Sequence, residues 1–363
     1  MATEKPSKDL RVAANWTIIV SAVLLFLIYF KALLQPLAIA LIIWFLINQL
    51  KYLIGLITIK KKRMPAPVRT AISILIISGV FYVVGDLLVV NLEQIINRLP
   101  QYELKQDKVL GQISDYFQRD DITQRLNSWL GNIEIRPILS GLVNSLSSMV
   151  GSIILIVIYI VFLLLEESLF SRKLKILAKQ SSGEQDLADI LQKVNTAISS
   201  YVNIKTLISL LTGVMSYIVM LVIGVDFPVL WAFIIFLFNF IPYVGSFVAT
   251  FLPSIFAVVQ FGSLWYFVYV FIAVESVQIL VGNYIEPRVM GRSLNLSPLV
   301  VMITLTFWGL IWGVLGMILS VPIVSVLTIV MAQFPNSRKI AIMLSETGDI
   351  DSYLVHKEVK NTG

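Results

Sequence analysis

A chain of 363 residues that is 57% hydrophobic and only 14% charged carries too little charge to cover a water-facing surface, since soluble domains are about a quarter charged. With a mean hydropathy of +0.85, it excludes an ordinary soluble enzyme and reads as a polytopic, all-α membrane protein. No cysteine means no disulfide, thiolate metal site or cysteine nucleophile, the lone His356 has no histidine partner for a metal, and the net charge of +6 sits beside apolar runs, as a topology signal rather than a nucleic-acid patch.

Apolar stretches that approach the roughly 20 residues of a membrane helix fall at 12–30, 32–50, 68–90, 149–165, 206–225, 228–258, 264–283 and 299–332, about eight spans. Lys5, Lys8 and Arg11 precede the first, which exceeds the roughly 7–15 residues of a signal-peptide core and is expected to remain as a helix. Lys31 alone separates it from the second, which Pro36 enters early. Lys51, Lys60, Lys61, Lys62, Arg63 and Arg69 then mark a cytoplasmic loop by the positive-inside rule.

In the polar segment 91–148, Leu92, Ile95, Ile96 and Leu99, then Ile122, Leu126, Trp129 and Leu130, recur at helical spacing. They predict short amphipathic helices outside the membrane. A second polar segment, 166–205, opens with Glu166 and Glu167 and carries Arg172, Lys173, Lys175, Lys179, Lys193 and Lys205, which places it in the cytoplasm. Within it Ser182 and Gln185 suit a capping box, ahead of Leu187, Ile190, Leu191, Val194 and Ile198 on one face. Arg338, Lys339, Lys357 and Lys360 put the C-terminus on the same side as the N-terminus. The chain thus divides into N-terminal spans (1–90), an extracytoplasmic segment (91–148), a fourth span with a cytoplasmic segment (149–205), a C-terminal core (206–334) and a tail (335–363).

Two of the apolar stretches are longer than one crossing needs. The run 228–258 contains Asn239, Pro242, Gly245 and Pro253, and 299–332 contains Gly309, Gly313, Gly316 and Pro322. Each reads equally as a kinked helix, two half-helices or a re-entrant hairpin, and broken helices mark binding sites in secondary transporters. Pro242 lacks an N–H and is expected to free the Phe238 carbonyl. With Gly245 it makes a candidate hinge, and Asn239 adds donors and acceptors; a kink satisfied by neighbouring helices is the structural alternative. Gly309, Gly313 and Gly316 suit close helix packing.

The charged, Pro- and Gly-broken segment Glu286–Ser297 comes after the run 264–283. Polar irregular backbone survives at membrane depth only inside protein or along a wet cavity, so a solute path is expected here, shared with the Asn239–Gly245 break. Glu275, Gln278, Gly282 and Glu286 keep helical spacing and predict one polar stripe, with Asn283, Arg288 and Arg292 at its end. A mid-bilayer carboxylate costs about 2.5–3.5 kcal/mol, so Glu275 is a candidate proton or sodium site or a hydrogen-bonding group for substrate, or else an interhelical polar contact. Glu286 and Arg288 are candidates either to pair with each other or to contact the solute. No phosphate loop is present, no cofactor or metal is indicated, and a transporter is expected rather than an enzyme. A membrane scaffold or sensor is the rival class.

Four runs together resemble the autoinducer-2 exporter family of bacterial permease-like proteins. They are Asn239-x-Ile-Pro242-x-x-Gly245; Gly282-Asn283-x-Ile-Glu286-Pro287-Arg288-Val289-Met290-Gly291-Arg292-Ser293-Leu294; Ser297-Pro298-Leu299; and Phe307-Trp308-Gly309 through Gly313, Gly316-Met317 and Ser320-Val321-Pro322. The resemblance implies about eight transmembrane helices, a bacterial plasma-membrane location, a homo-oligomer, and export of a small polar solute such as the quorum signal autoinducer-2. Sodium(lithium)/proton antiport is the alternative it carries. Glu275 lies outside the family pattern.

Overall fold

The computed structural model describes residues 8–59, 62–117, 152–180, 184–290, 295–351 and 353–354. The expected helices around Ile122 and Trp129, the Ser182 cap, and Arg292, His356, Lys357 and Lys360 lie outside these residues. The elements in chain order are α1 (Lys8–Tyr29), α2 (Lys31–Leu56), a two-residue antiparallel ladder of β1 (Thr58–Ile59) and β2 (Lys62–Arg63), α3 (Ala66–Phe117), α4 (Ile153–Gln180) and α5 (Glu184–Ile223). Then come α6 (Pro228–Phe238), α7 (Val244–Phe261), α8 (Trp265–Ile279), a π-helical segment (Leu280–Ile285), α9 (Glu286–Met290), α10 (Pro298–Trp312), α11 (Val314–Gln333) and α12 (Arg338–Leu344).

Six helical runs are long and apolar enough to cross a membrane: Lys31–Leu56, Ala66–Ile95, Asp189–Ile223, Val244–Phe261, Trp265–Val289 and Val314–Gln333. Thr17–Tyr29, Pro228–Phe238 and Pro298–Trp312 are shorter apolar helices. Several helices continue straight from an apolar run into a polar one. Thus α3 carries the third span on to Phe117, and α5 runs through position 205, so both divisions drawn from the polar segments fall inside helices.

Both overlong apolar stretches are hairpins of two helices. In the first, α6 and α7 pack against each other, and their open ends are stitched together. Gln260 accepts from the Asp226 N–H (2.7 Å) and donates to the Gly224 carbonyl (2.8 Å), while Arg98 of α3 pairs with Asp226 at 3.3 Å. In the second, α10 and α11 turn at Gly313, whose φ of 63° and ψ of −143° lie where a Cβ is strongly disfavoured. The ends of this hairpin meet through Ser297 N–H donating to the Leu344 carbonyl (2.9 Å) and the Leu296–Ser345 bridge. The α6–α7 hairpin opens where α5 ends; α10–α11 opens where α5 begins, tied to it through the tail by Gln333 to Tyr353 O (2.6 Å) and Lys193 to Leu354 O. At 1.5 Å per residue, α6 is about 16 Å long and α10 about 22 Å, short of a hydrocarbon core about 30 Å thick. The two hairpins therefore open at opposite ends of α5, and each pairs a short apolar helix with one long enough to cross a membrane.

The main core lies where α6, α7 and α8 meet α5, around Met220, Leu230, Trp231, Ile235, Ala249, Phe256, Ala257, Val270 and Val274. Small residues on α7, namely Gly245, Ala249, Ser254 and Ala257, are buried and let the helices approach, the usual device where lipid removes the hydrophobic drive to associate. A second cluster joins Tyr201 and Val202 of α5 to Val301 of α10 and Val321 and Val324 of α11. Helix α5 is thus the wall common to both hairpins.

Candidate functional site

Helix α5 presents a polar line on one face: Lys205, Ser209, Thr212 and Ser216, all buried and spaced by four, three and four residues, the repeat that keeps side chains on one side. Thr212 returns its hydroxyl proton to the Ile208 carbonyl at 2.9 Å. The Ser216 hydroxyl is buried with no partner among the described residues. Ser209 accepts a hydrogen bond from the Asn239 side-chain amide at 3.0 Å, and Lys205, one turn away, pairs with Glu286. The side chains of that pair are 8% and 17% exposed, so each charge depends largely on the other for its solvation.

Asn239 stands at the tip of the α6–α7 hairpin. There the Phe238 carbonyl accepts the Ile241 N–H at 2.8 Å, and the Ile241 carbonyl accepts the Gly245 N–H at 3.2 Å. The expectation that Pro242 frees the Phe238 carbonyl is therefore corrected: a three-residue-offset bond takes it up. Nor is this stretch one kinked helix, because the chain reverses direction between Phe238 and Val244. Tyr243 closes the reversal with φ 59° and ψ −59° and the Val244 N–H on the Pro242 carbonyl at 2.6 Å. That is a strained γ-turn on a residue whose side chain is 58% exposed. Tyr243→Gly should raise the unfolding free energy by about 1 kcal/mol through relief of this strain; a lowered melting midpoint in detergent would show that the ring packs for more than the strain costs.

On α8, Gln278 is buried and its Nε2 has no partner among the described residues; Glu275 is half-buried with Oε2 also without one. Glu286 does not continue their stripe. The π-helical segment Leu280–Ile285 holds more residues per turn than an α-helix, so the residues after it are turned back by about 100°, one residue's rotation. This carries Glu286 off the line of Glu275 and towards Lys205. Asn283, inside the π segment, and Arg288, in α9, are exposed. The partner of Glu286 is thus Lys205 of α5, and the expected pairing with Arg288 is corrected.

Lys205 was legible in the sequence as one more basic residue of a cytoplasmic segment. Its buried place was signalled only by Ser209, Thr212 and Ser216 succeeding it at helical spacing. Gly245 and Gly316 mark close approaches: a Cβ would stand 1.9 Å from the Phe238 carbonyl oxygen at the first and 2.0 Å from the Trp308 carbonyl oxygen at the second. Gly309 meets only the flexible Met317 side chain. The tip of the α10–α11 hairpin is held by Trp312, whose indole N–H donates to the Leu27 carbonyl (3.0 Å) and whose carbonyl accepts from Gln35 (3.1 Å). Among the described residues no His/Cys/Asp/Glu group has the makings of a metal site.

Residues 17–336 match the family model described as AI-2E family transporter. A putative transport protein of Borreliella burgdorferi is 35% identical over 197 residues, 54% of each chain, so the match spans about half of that relative. A putative transport protein of Haemophilus influenzae is 29% identical over 297 residues, 80% of this chain and 84% of its own. The AI-2 transport protein TqsA of Escherichia coli is 30% identical over 259 residues, 70% of this chain and 74% of its own.

Proposed function

Because this chain belongs to the AI-2E family of transporters, we propose that it exports a small polar organic solute, an autoinducer-2-like signal, across a bacterial plasma membrane with both termini in the cytoplasm. One observation carries the reading. The polar succession Asn239–Ser209 and Lys205–Glu286 lies along α5 and meets a backbone break at the tip of a half-length helix. In a bilayer such a break must be enclosed by protein or face water, and a water-lined path beside α5 meets that need. Asn239 supplies both donors and acceptors, and Lys205 and Arg288 favour oxygen-rich or anionic solutes over cations. The 30% identity to TqsA supports an autoinducer-2-like solute, and family resemblance supports assembly of several copies.

A second reading has its own observation. The Glu275 carboxylate oxygen Oε2 is buried and unpartnered among the described residues, as a proton or sodium site in an antiporter requires. Proteoliposomes separate the readings. Efflux of loaded autoinducer-2 above protein-free vesicles, reduced in Asn239→Ala, is the expected result. Sodium- or lithium-dependent proton flux that ignores the added signal and disappears in Glu275→Gln would replace it with antiport. Flux of neither, with partner binding intact, would make the protein a scaffold or sensor.

A further inference from the structure

We infer that Lys205 is the solute-recognising cation of the path and that Glu286 is its resident occupant, withdrawn by a change in the π-helical segment. This assignment rests on the transport reading and goes on to name the recognition group and the device that frees it. A buried ammonium has three donors and no acceptor, so whatever relieves it of Glu286 must present oxygen acceptors: an anionic oxygen or adjacent hydroxyls. A metal cation is repelled.

The geometry supplies the mechanism of exchange. Glu286 directly succeeds Leu280–Ile285, where one surplus residue is wound into the helix, and such bulges recur at functional sites. Gly282 and Asn283 sit inside it; a Cβ at Gly282 would meet nothing within 4 Å, and Asn283 is exposed. The side of the segment turned from α5 therefore has room to rewind as α-helix, while Val281, fully buried in one cluster with Ile208 of α5, holds its start. Rewinding turns Glu286 by about 100° away from Lys205 and onto the line of Glu275, eleven residues earlier. Lys205, on the uninterrupted helix α5, does not move with it. The bulged form closes the site with the protein's own carboxylate; the rewound form leaves Lys205 open to solute, one turn from Ser209 and Asn239.

The full chain in nanodiscs tests this with two readouts: equilibrium binding of autoinducer-2, and the acetylation rate of Lys205 by a water-soluble reagent, read by mass spectrometry. Weakening a resident competitor, from a carboxylate to a neutral amide, raises apparent affinity in proportion to the site it frees, so Glu286→Gln should bind about tenfold tighter and acetylate about tenfold faster. Deleting Asn283, which removes the surplus residue without a packed side chain, should speed acetylation likewise. Lys205→Met should lose binding, and the neutral pair Lys205→Met/Glu286→Gln should fold but still not bind. Wild-type binding in that double variant would overturn the inference and make the pair structural. If the wild type binds no autoinducer-2, the proposed solute falls and acetylation alone decides the switch. Faster labelling in Glu286→Gln upholds it, and labelling equal to wild type overturns it. Should the deletion fail to fold, Glu286→Gln and the double variant carry the test.

Discussion

Lys205→Met should destabilise the protein by about 3–5 kcal/mol, the usual cost of leaving one partner of a buried ion pair uncompensated. The Glu286 carboxylate is 17% exposed and is held by the π segment against the α5 wall, so it has little water to turn to when the ammonium is gone. Glu286→Gln should cost less, because a neutral amide still accepts a hydrogen bond from the lysine. The double variant Lys205→Met/Glu286→Gln should recover most of the loss, since two neutral side chains of similar volume often replace a buried pair without penalty. Unfolding of the four proteins in one detergent closes the cycle. A Lys205→Met variant as stable as wild type would mean that the path stands open and hydrated at the pair, against the closed, bulged form.

Gly245→Ala and Gly316→Ala should be the most disruptive of the Gly→Ala changes among the described residues. In each the new Cβ would fall about 2 Å from a backbone carbonyl oxygen, and backbone at a hairpin tip cannot rotate out of the way as a side chain can. The cost should reach or exceed the upper end of the roughly 1–3 kcal/mol typical of overpacking, and it should open the hairpin tip rather than the core. Gly79→Ala on α3 is the control: nothing lies within 4 Å of its Cβ, and alanine is favoured over glycine in a helix by about 1 kcal/mol. Melting midpoints should fall sharply for the first two and hold or rise for the third. Equal effects at all three would place the cost in backbone conformation instead of contact.

Periodicity and composition are legible in this sequence, and anything set by a change of period or direction is hidden. Apolar runs located the helices, and Pro and Gly located the two breaks. A break marks only where a helix stops, however. Whether the chain then continues or reverses depends on pairings such as Gln260 with Gly224 and Asp226, made between residues far apart in the sequence. The polar stripe from Glu275 to Glu286 failed for a related reason. It assumes a constant 100° per residue, and the π-helical segment between them breaks that rule with no signature beyond Gly282-Asn283. Lys205 was hidden by its neighbours, since basic residues before a span usually mark the cytoplasmic side and the cluster absorbed the one member that is buried.

A transport path beside α5 requires that water reach its polar line inside the membrane layer. The native chain has no cysteine, so single cysteines can be read without background. Ser209→Cys and Asn239→Cys in reconstituted membranes should react with a charged, membrane-impermeant thiol reagent applied from one face or the other, and autoinducer-2 should slow the reaction. Leu210→Cys, whose native side chain is 53% exposed on the outer surface of the same helix, should face lipid and stay unreactive. Silence at both 209 and 239 from either face would contradict the path and leave the buried polar line a packing feature.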